Sequence, residues 1–468
     1  MGDTVFPRFP RGFLFGAATA AYQVEGAAAA DGKGPSVWDA FARRRGRIRR
    51  GETGDEACDH YRRYREDVAI MRSLGLGAYR GSISWPRVLP EGRGRPNPAG
   101  LDFYSRLTDE LLAAGVRPFF TLFHWDLPLG LQRGIGGFRS RDAAPIFADY
   151  AELVVRALGD RVKDWITVNE PREYSFFGHL TGDHAPGIMS PRAYFAVMHN
   201  LLRGHGMALE RIRGACPGAR VGAALSQTPV FPATGSEADA WSTRMADAFM
   251  NRITLDPMLK GAYPPLLLER AGSLFPRIEA GDLEEASRPV DFVGLNFYSR
   301  ERASHRWFVP WLKTWVSGKD GGRGESEEGG VRRTAMGWEV WPEGMGLLAR
   351  MMRDEYGNPP VFFTENGAAF ADEVSRDPDG SPRVRDPKRV DFLRDYLSEL
   401  AAAAREGCDL RGYFVWSLMD NFEWAEGYAP RFGIVRVEPG SLERIVKDSG
   451  RWYRDLIRAN AEGAGPGR

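Results

Sequence analysis

The 468-residue chain has few cysteines, few histidines and almost no net charge, and each shortage removes a class of protein. Its three cysteines, Cys58, Cys216 and Cys408, are odd in number and far apart. They exclude a disulfide framework and fit buried, reduced thiols in a cytoplasmic protein. The seven histidines include no pair at zinc-like spacing such as HExxH, so no metal site is expected. With 63 basic against 62 acidic residues, no global field draws the chain to nucleic acid or to an anionic membrane. The one concentrated charge, Arg43-Arg-Arg-Gly-Arg-Ile-Arg-Arg50, has no aromatic stacking platform beside it and reads as a solvated loop. No stretch of about 18 apolar residues exists to cross a bilayer. The opening MGDTVFPRFPRGFLFG lacks the basic segment and long apolar core of a secretory signal.

Core-forming residues, by contrast, are plentiful: 43% hydrophobic and 12% aromatic, with 13 tryptophans that suit core packing or the walls of a sugar site. Eight short β-rich runs recur: residues 13–19, 76–84, 117–123, 162–168, 219–226, 291–297, 360–365 and 411–418. Between them lie amphipathic stretches such as DHYRRYREDVAIMRSLG and PIFADYAELVVRALGD, apolar at i, i+3, i+4 spacing. Strands alternating with helices predict an α/β parallel sheet covered by helices, and eight strands are the number that closes a (β/α)₈ TIM barrel. An open doubly wound sheet is the alternative, but no GxGxxG follows any strand. No linker divides the chain, so residues 1–468 are expected to form one barrel domain with extended loops at its C-terminal face. The Gly-rich, charged segment Ser317–Arg333 reads as a mobile surface loop, DNFEWAEGYAPRFGIVRV as a loop and short hairpin, and Trp452–Asn460 as a closing helix.

In such a barrel the catalytic groups gather where the strands end. The apolar run Val361-Phe-Phe-Thr-Glu365 ends on a carboxylate, which is costly to bury without a partner or a task. The other predicted strand ends carry Arg80, His124-Trp125, Asn169-Glu170, Asn296 with Tyr298 just beyond, and Trp416. Glu170 and Glu365, distant in sequence, thus meet on one rim. Two facing carboxylates are what glycoside hydrolysis needs: one protonates the leaving oxygen, and the other attacks the sugar or activates water. A gap of about 5 Å allows direct attack with retention, whereas about 6.5–9.5 Å leaves room for water and gives inversion.

The chain resembles glycoside hydrolase family 1, the β-glucosidase family, across nearly its whole length. The resemblance rests on FLFGAATAAYQVEGA (13–27), SISWPR (82–87), FHWDLP (123–128), TVNEP (167–171), HAPG (184–187), GLNFYS (294–299), TENG (364–367) and SLMDNFEW (417–424). It implies Glu365 as a nucleophile that forms a covalent glycosyl-enzyme, Glu170 as acid and then base, and Arg80, Tyr298 and Asn296 as their catalytic support. It implies a substrate pocket of Gln23, His124, Trp125, Asn169, Trp338, Trp416, Glu423, Trp424 and Phe432. Each of these also has a structural reading: Gln23 as a turn cap, His124 as a hydrogen-bonded core histidine, Trp416 as packing, Arg80 as a structural ion-pair residue and Tyr298 as core. Family members that take 6-phospho-sugars generally carry Ser in place of Glu423. Glu423 and Glu426 would repel a phosphate here, so a neutral glycone is expected.

Three departures stand out. Arg172 follows the NEP motif where Trp is usual, with a polar leaving group or a surface ion pair as its two readings. Gly81 replaces a bulky residue and suggests a space beneath Arg80, and His179 stands where Tyr is common. Trp338 and Trp341 are candidate walls for the leaving group, or else core. The expected protein is a retaining β-glucosidase with some activity on β-galactosides or β-fucosides, acting on a small-molecule β-glycoside without cofactor, metal, nucleic acid or membrane. A transglycosidase of the same fold and a non-catalytic sugar-binding protein are the alternatives, and retention of both carboxylates argues against the second.

Overall fold

The computed structural model of the chain describes residues 6–318, 324–328 and 330–462. Eight parallel strands close into a barrel: β1 (Leu14–Ala18), β2 (Ala78–Ser82), β3 (Arg117–Phe123), β4 (Asp164–Asn169), β5 (Arg220–Ser226), β6 (Phe292–Asn296), β7 (Val361–Asn366) and β8 (Leu410–Trp416). Each falls on one of the expected runs. The pairing of Leu14–Ala18 with Gly412–Trp416 completes the ring and rules out an open sheet.

Side-chain alternation explains why the barrel is solid below and polar above. Near the floor, Phe119 of β3 lies 5.3 Å from Phe362 and 5.2 Å from Phe414 between ring centroids, and Phe292 lies 5.2 Å from Phe362. Four phenylalanines fit only because neighbouring strands bear glycine. A Cβ at Gly16 would fall 2.5 Å from the Phe414 ring, and one at Gly222 2.6 Å from the Phe292 ring. One layer higher, the inward positions change to Arg80, Thr121, Asn296 and Thr364, all buried.

The strands that lead to the two glutamates are irregular where it matters. Along β4, Ile166 pairs with Gly222 but Asn169 with Ala224, and along β7, Phe363 pairs with Leu295 but Glu365 with Asn296. In each case one extra residue sits on the strand bearing the carboxylate, which turns its last side chains into the mouth.

Amphipathic helices cover the outside. Ala143–Leu158 and Pro191–Ala215 pack together, and Ser190 caps the second by accepting from the Ala193 N–H at 3.3 Å. The closing helix is longer than the sequence suggested, Asp448–Glu462, and the short hairpin after β8 pairs Val435–Val437 with Arg444–Val446. Behind the β8 loop, buried Lys447 donates to Asp372 at 2.5 Å and Asp420 at 2.8 Å, and Arg389 pairs with Asp372 at 2.9 Å and with Asp386.

Two expectations need correction. Part of Ser317–Arg333 is not loop, because Ser326–Glu328 and Val331–Arg333 pair as a small hairpin; residues 319–323 and 329 lie outside the described residues. There is also no space beneath Arg80. Gly81 points the other way, toward the helices, where a Cβ would meet the Tyr79 ring at 3.0 Å. Among the described residues, no helix is long and apolar enough to cross a membrane.

Candidate active site

The mouth of the barrel holds one connected hydrogen-bond network. Arg80, fully buried on β2, donates through Nη1 to Glu365 Oε1 at 2.5 Å and to the Thr364 carbonyl at 3.1 Å. Its Nη2 reaches Asn169 Oδ1 at 2.5 Å, and its Nε reaches Thr121 Oγ1 at 3.3 Å. The Tyr298 hydroxyl donates to the other oxygen of Glu365 at 2.7 Å. Glu365 therefore has a cation on one oxygen and a hydroxyl donor on the other, which fix its plane and balance its charge.

Glu170 has a different environment. Among the described residues its carboxylate takes one side-chain hydrogen bond, from Asn296 Nδ2 to Oε1 at 3.0 Å, and Asn296 is itself held by the Thr364 hydroxyl at 2.6 Å and donates to Asn169 at 3.1 Å. Burial, followed by the charges of Glu173 and Glu365, pushes the Glu170 carboxyl well above the usual carboxylate range. These surroundings favour the protonated form of Glu170. Its backbone is in the left-handed region at φ 45°, as are Trp125 at 77° and Trp424 at 47°. A non-glycine residue holds that conformation only where its surroundings impose it, and such strain gathers at functional sites.

Beside the carboxylates lies a pocket with unused polar atoms. Gln23 spends its amide N–H groups on Asn421 Oδ1 at 3.1 Å and the Phe422 carbonyl at 2.8 Å, leaving Oε1 buried without a partner among the described residues. Asn169 Nδ2 donates to His124 Nε2 at 3.0 Å, which assigns the ring proton to the buried, unpartnered Nδ1. Burial and the Arg80 charge push His124 well below its ordinary value, so the ring is neutral. The pocket thus offers one free acceptor and one free donor, a match for neighbouring sugar hydroxyls.

Glu423 lies 3.4 Å from Gln23 Nε2, and burial with the Glu365 charge pushes its carboxyl up to about 8. Trp416 and Trp424 each lie 6.0 Å from His124 between ring centroids, with planes within 30° of its ring. Trp125 packs 4.7 Å from Trp424 and donates through Nε1 to the Asn169 carbonyl at 3.0 Å. Trp338 and Phe432 lie 5.9 Å apart and join through Tyr298, 5.2 Å from Trp338.

The catalytic and substrate-pocket residues implied by the resemblance therefore fall in one contiguous mouth. Trp341 packs instead on Phe231 and under the Arg300 guanidinium. Arg172 corrects another expectation. It pairs with Glu173 at 2.5 Å, and both side chains are buried, so the pair is internal and not a surface one. His179 is buried against the Tyr174 ring at 5.3 Å. Sequence reasoning missed Thr121 and Thr364, which hold Arg80 and Asn296, Asn421, which holds Gln23, and Glu173, whose charge bears on Glu170. Thr364 and Asn421 stood inside quoted motifs, but their partners come from other strands. Among the described residues, no group of three His, Cys, Asp or Glu side chains could hold a metal ion.

A parallel barrel with two buried carboxylates of unlike environment, a donor–acceptor pocket and tryptophan walls defines an enzyme of the carbohydrate-cleaving class. The chain belongs to glycosyl hydrolase family 1, whose model matches residues 6–462. It is 45% identical over 454 residues to beta-glucosidase A of Thermotoga maritima, covering 97% of this chain and 98% of that one. It is 41% identical over 459 residues to a bifunctional beta-D-glucosidase/beta-D-fucosidase of Bifidobacterium breve, covering 96% and 98%. A solved structure of the Thermotoga maritima beta-glucosidase in complex with deoxynojirimycin matches with a TM-score of 0.91 at 45% identity, covering 97% of this chain and 99% of that one.

Proposed function

We propose that this protein is a retaining β-glucosidase that releases terminal β-D-glucosyl residues and also accepts β-fucosides. Glu365 attacks the anomeric carbon while Glu170 gives its proton to the leaving oxygen, forming a glucosyl ester and a free aglycone. Glu170, now a carboxylate, then takes a proton from water, which displaces the sugar from Glu365 with net retention. The observation that carries this reading is the contrast between the two acids: Arg80 and Tyr298 bind both oxygens of Glu365, whereas Glu170 has one amide donor and faces two other carboxylates. The β-glucosidase named at 45% identity supports the glucose preference, and the bifunctional relative supports the fucoside.

Gln23, His124 and Glu423 bind hydroxyls of the glycone, while Trp416 and Trp424 cover its apolar face. Asn169 sits at the 2-hydroxyl side, and Trp338 and Phe432 border the mouth. The three unpaired, buried thiols support a cytoplasmic setting. The test uses an aryl β-glucoside with the variants Glu365→Gly and Glu170→Ala. Glu365→Gly is expected to lose hydrolysis and, with added azide, to yield the α-glucosyl azide. Undiminished hydrolysis in either variant contradicts the assignment.

A further inference from the structure

The arginine run Arg43–Arg50 has no task in the reading above, yet its contacts are at the mouth. Arg44 Nη1 donates to the Pro186 carbonyl at 3.3 Å, and Arg47 Nη1 donates to the Gly182 carbonyl at 3.2 Å. Arg49 approaches Glu426 Oε2 at 3.6 Å, three residues beyond Glu423. Gly182 and Pro186 end the segment that begins at Glu170. The arginines thus contact the far end of the segment that leaves the rim at the acid Glu170.

An aromatic path leads from the pocket toward them. Trp424 lies 4.7 Å from Trp125, Trp125 lies 5.8 Å from His184, and His184 lies 4.8 Å from Phe177. Phe41 underlies the guanidinium groups of Arg44 at 5.9 Å and Arg47 at 5.5 Å.

Charge is uncompensated at this rim. Arg43 pairs with Asp55 at 2.9 Å, and Arg49 faces Glu426. Arg44, Arg45, Arg47 and Arg50 are exposed and have no carboxylate partner among the described residues. The buried Arg172 supplies nothing here, because its charge is taken up by Glu173.

We propose that the Arg43–Arg50 loop is a subsite for an anionic leaving group, a carboxylate-bearing sugar or aryl aglycone whose charge extends past Trp125 and His184 to the guanidinium forks of Arg44 and Arg47. The proposal rests on the glucosidase reading and deepens it by naming the class of aglycone. The glycone stays neutral, since Glu423 sits at the inner end and the cations at the outer one.

The test compares kcat/KM for cellobiose with that for β-D-glucosyl-(1→4)-D-glucuronate, the same leaving oxygen with a carboxylate added, and uses a 4-nitrophenyl β-glucoside as a neutral control. At low salt the wild type is expected to favour the glucuronate by about five- to tenfold, as two weak rim pairs provide. The preference is expected to vanish at about 0.3 M salt, where the screening length is well under 10 Å. It is also expected to vanish in Arg44→Gln/Arg47→Gln, with the 4-nitrophenyl glucoside unaffected. If that variant loses neutral activity through misfolding, Arg45→Gln/Arg50→Gln carries the test, with a reduced preference expected. A wild type without the preference, or a preference that survives arginine removal, overturns the subsite while leaving the glucosidase reading intact. A wild type inert on the neutral glucoside overturns both.

Discussion

Changing Glu365 to Gln removes a negative charge facing Glu170, and the account predicts that Glu170 then loses its proton at a lower pH. Three influences raise the Glu170 carboxyl: burial, the Glu173 charge and the Glu365 charge. Only the third changes during turnover, because forming the glucosyl ester neutralises Glu365. At the separation of about 5–5.5 Å that direct attack requires, two unit charges at an effective dielectric of about 20 interact by about 3 kcal/mol. The assay is ¹³C NMR titration of Glu170 in enzyme carrying labelled glutamate, in wild type, in Glu365→Gln and in the trapped 2-fluoroglucosyl enzyme. Both altered forms are expected to titrate below wild type. An unchanged or higher value would refute the idea that one carboxylate serves as acid and then base because its neighbour's charge is switched off.

Three further outcomes follow from specific contacts. Tyr298→Phe deletes the 2.7 Å donor to Glu365; a hydrogen bond to a charged group contributes about 1.5–3 kcal/mol, so kcat falls about ten- to hundredfold with little change in KM. Glu423, pushed up to about 8 from an ordinary 4.5, holds extra protons when folded, so its stabilising contribution is full below about 4.5 and lost as pH rises through 8. The Tm of the wild type is therefore expected to fall more steeply from pH 5 to 9 than that of Glu423→Gln. Lys447→Met leaves Asp420 buried without its paired cation, and breaking such a pair costs about 3–5 kcal/mol, read as a lower denaturation midpoint.

The barrel is legible because the strands are largely apolar and several run into a polar group at or just past their ends, as Val361–Glu365 does. That pattern alone points to both carboxylates, Arg80, His124 and Asn296. What the sequence could not supply was the choice of partner across the barrel. Asn296 links Glu170, 126 residues away, to Thr364, 68 residues away, and Lys447 joins Asp372 to Asp420. Arg172 was misjudged for a similar reason. Charge suggests the surface, but the extra residue in β4 turns the following short helix inward and buries Arg172 with Glu173. The Gly81 space failed on parity, because residues 80 and 81 face opposite sides of the strand and Tyr79, two positions back, fills the outer one.

The most direct test of the central claim is the identity of the side chain that becomes bonded to sugar. Incubation with a 2-deoxy-2-fluoro-β-glucoside bearing a good leaving group, followed by protease digestion and mass spectrometry, reads it out. The account predicts one fluoroglucosyl group per chain, on the peptide containing Thr364-Glu365-Asn366 and absent from Glu365→Gln. A label on Glu170 or on any other residue, or turnover with no covalent adduct at all, would contradict it.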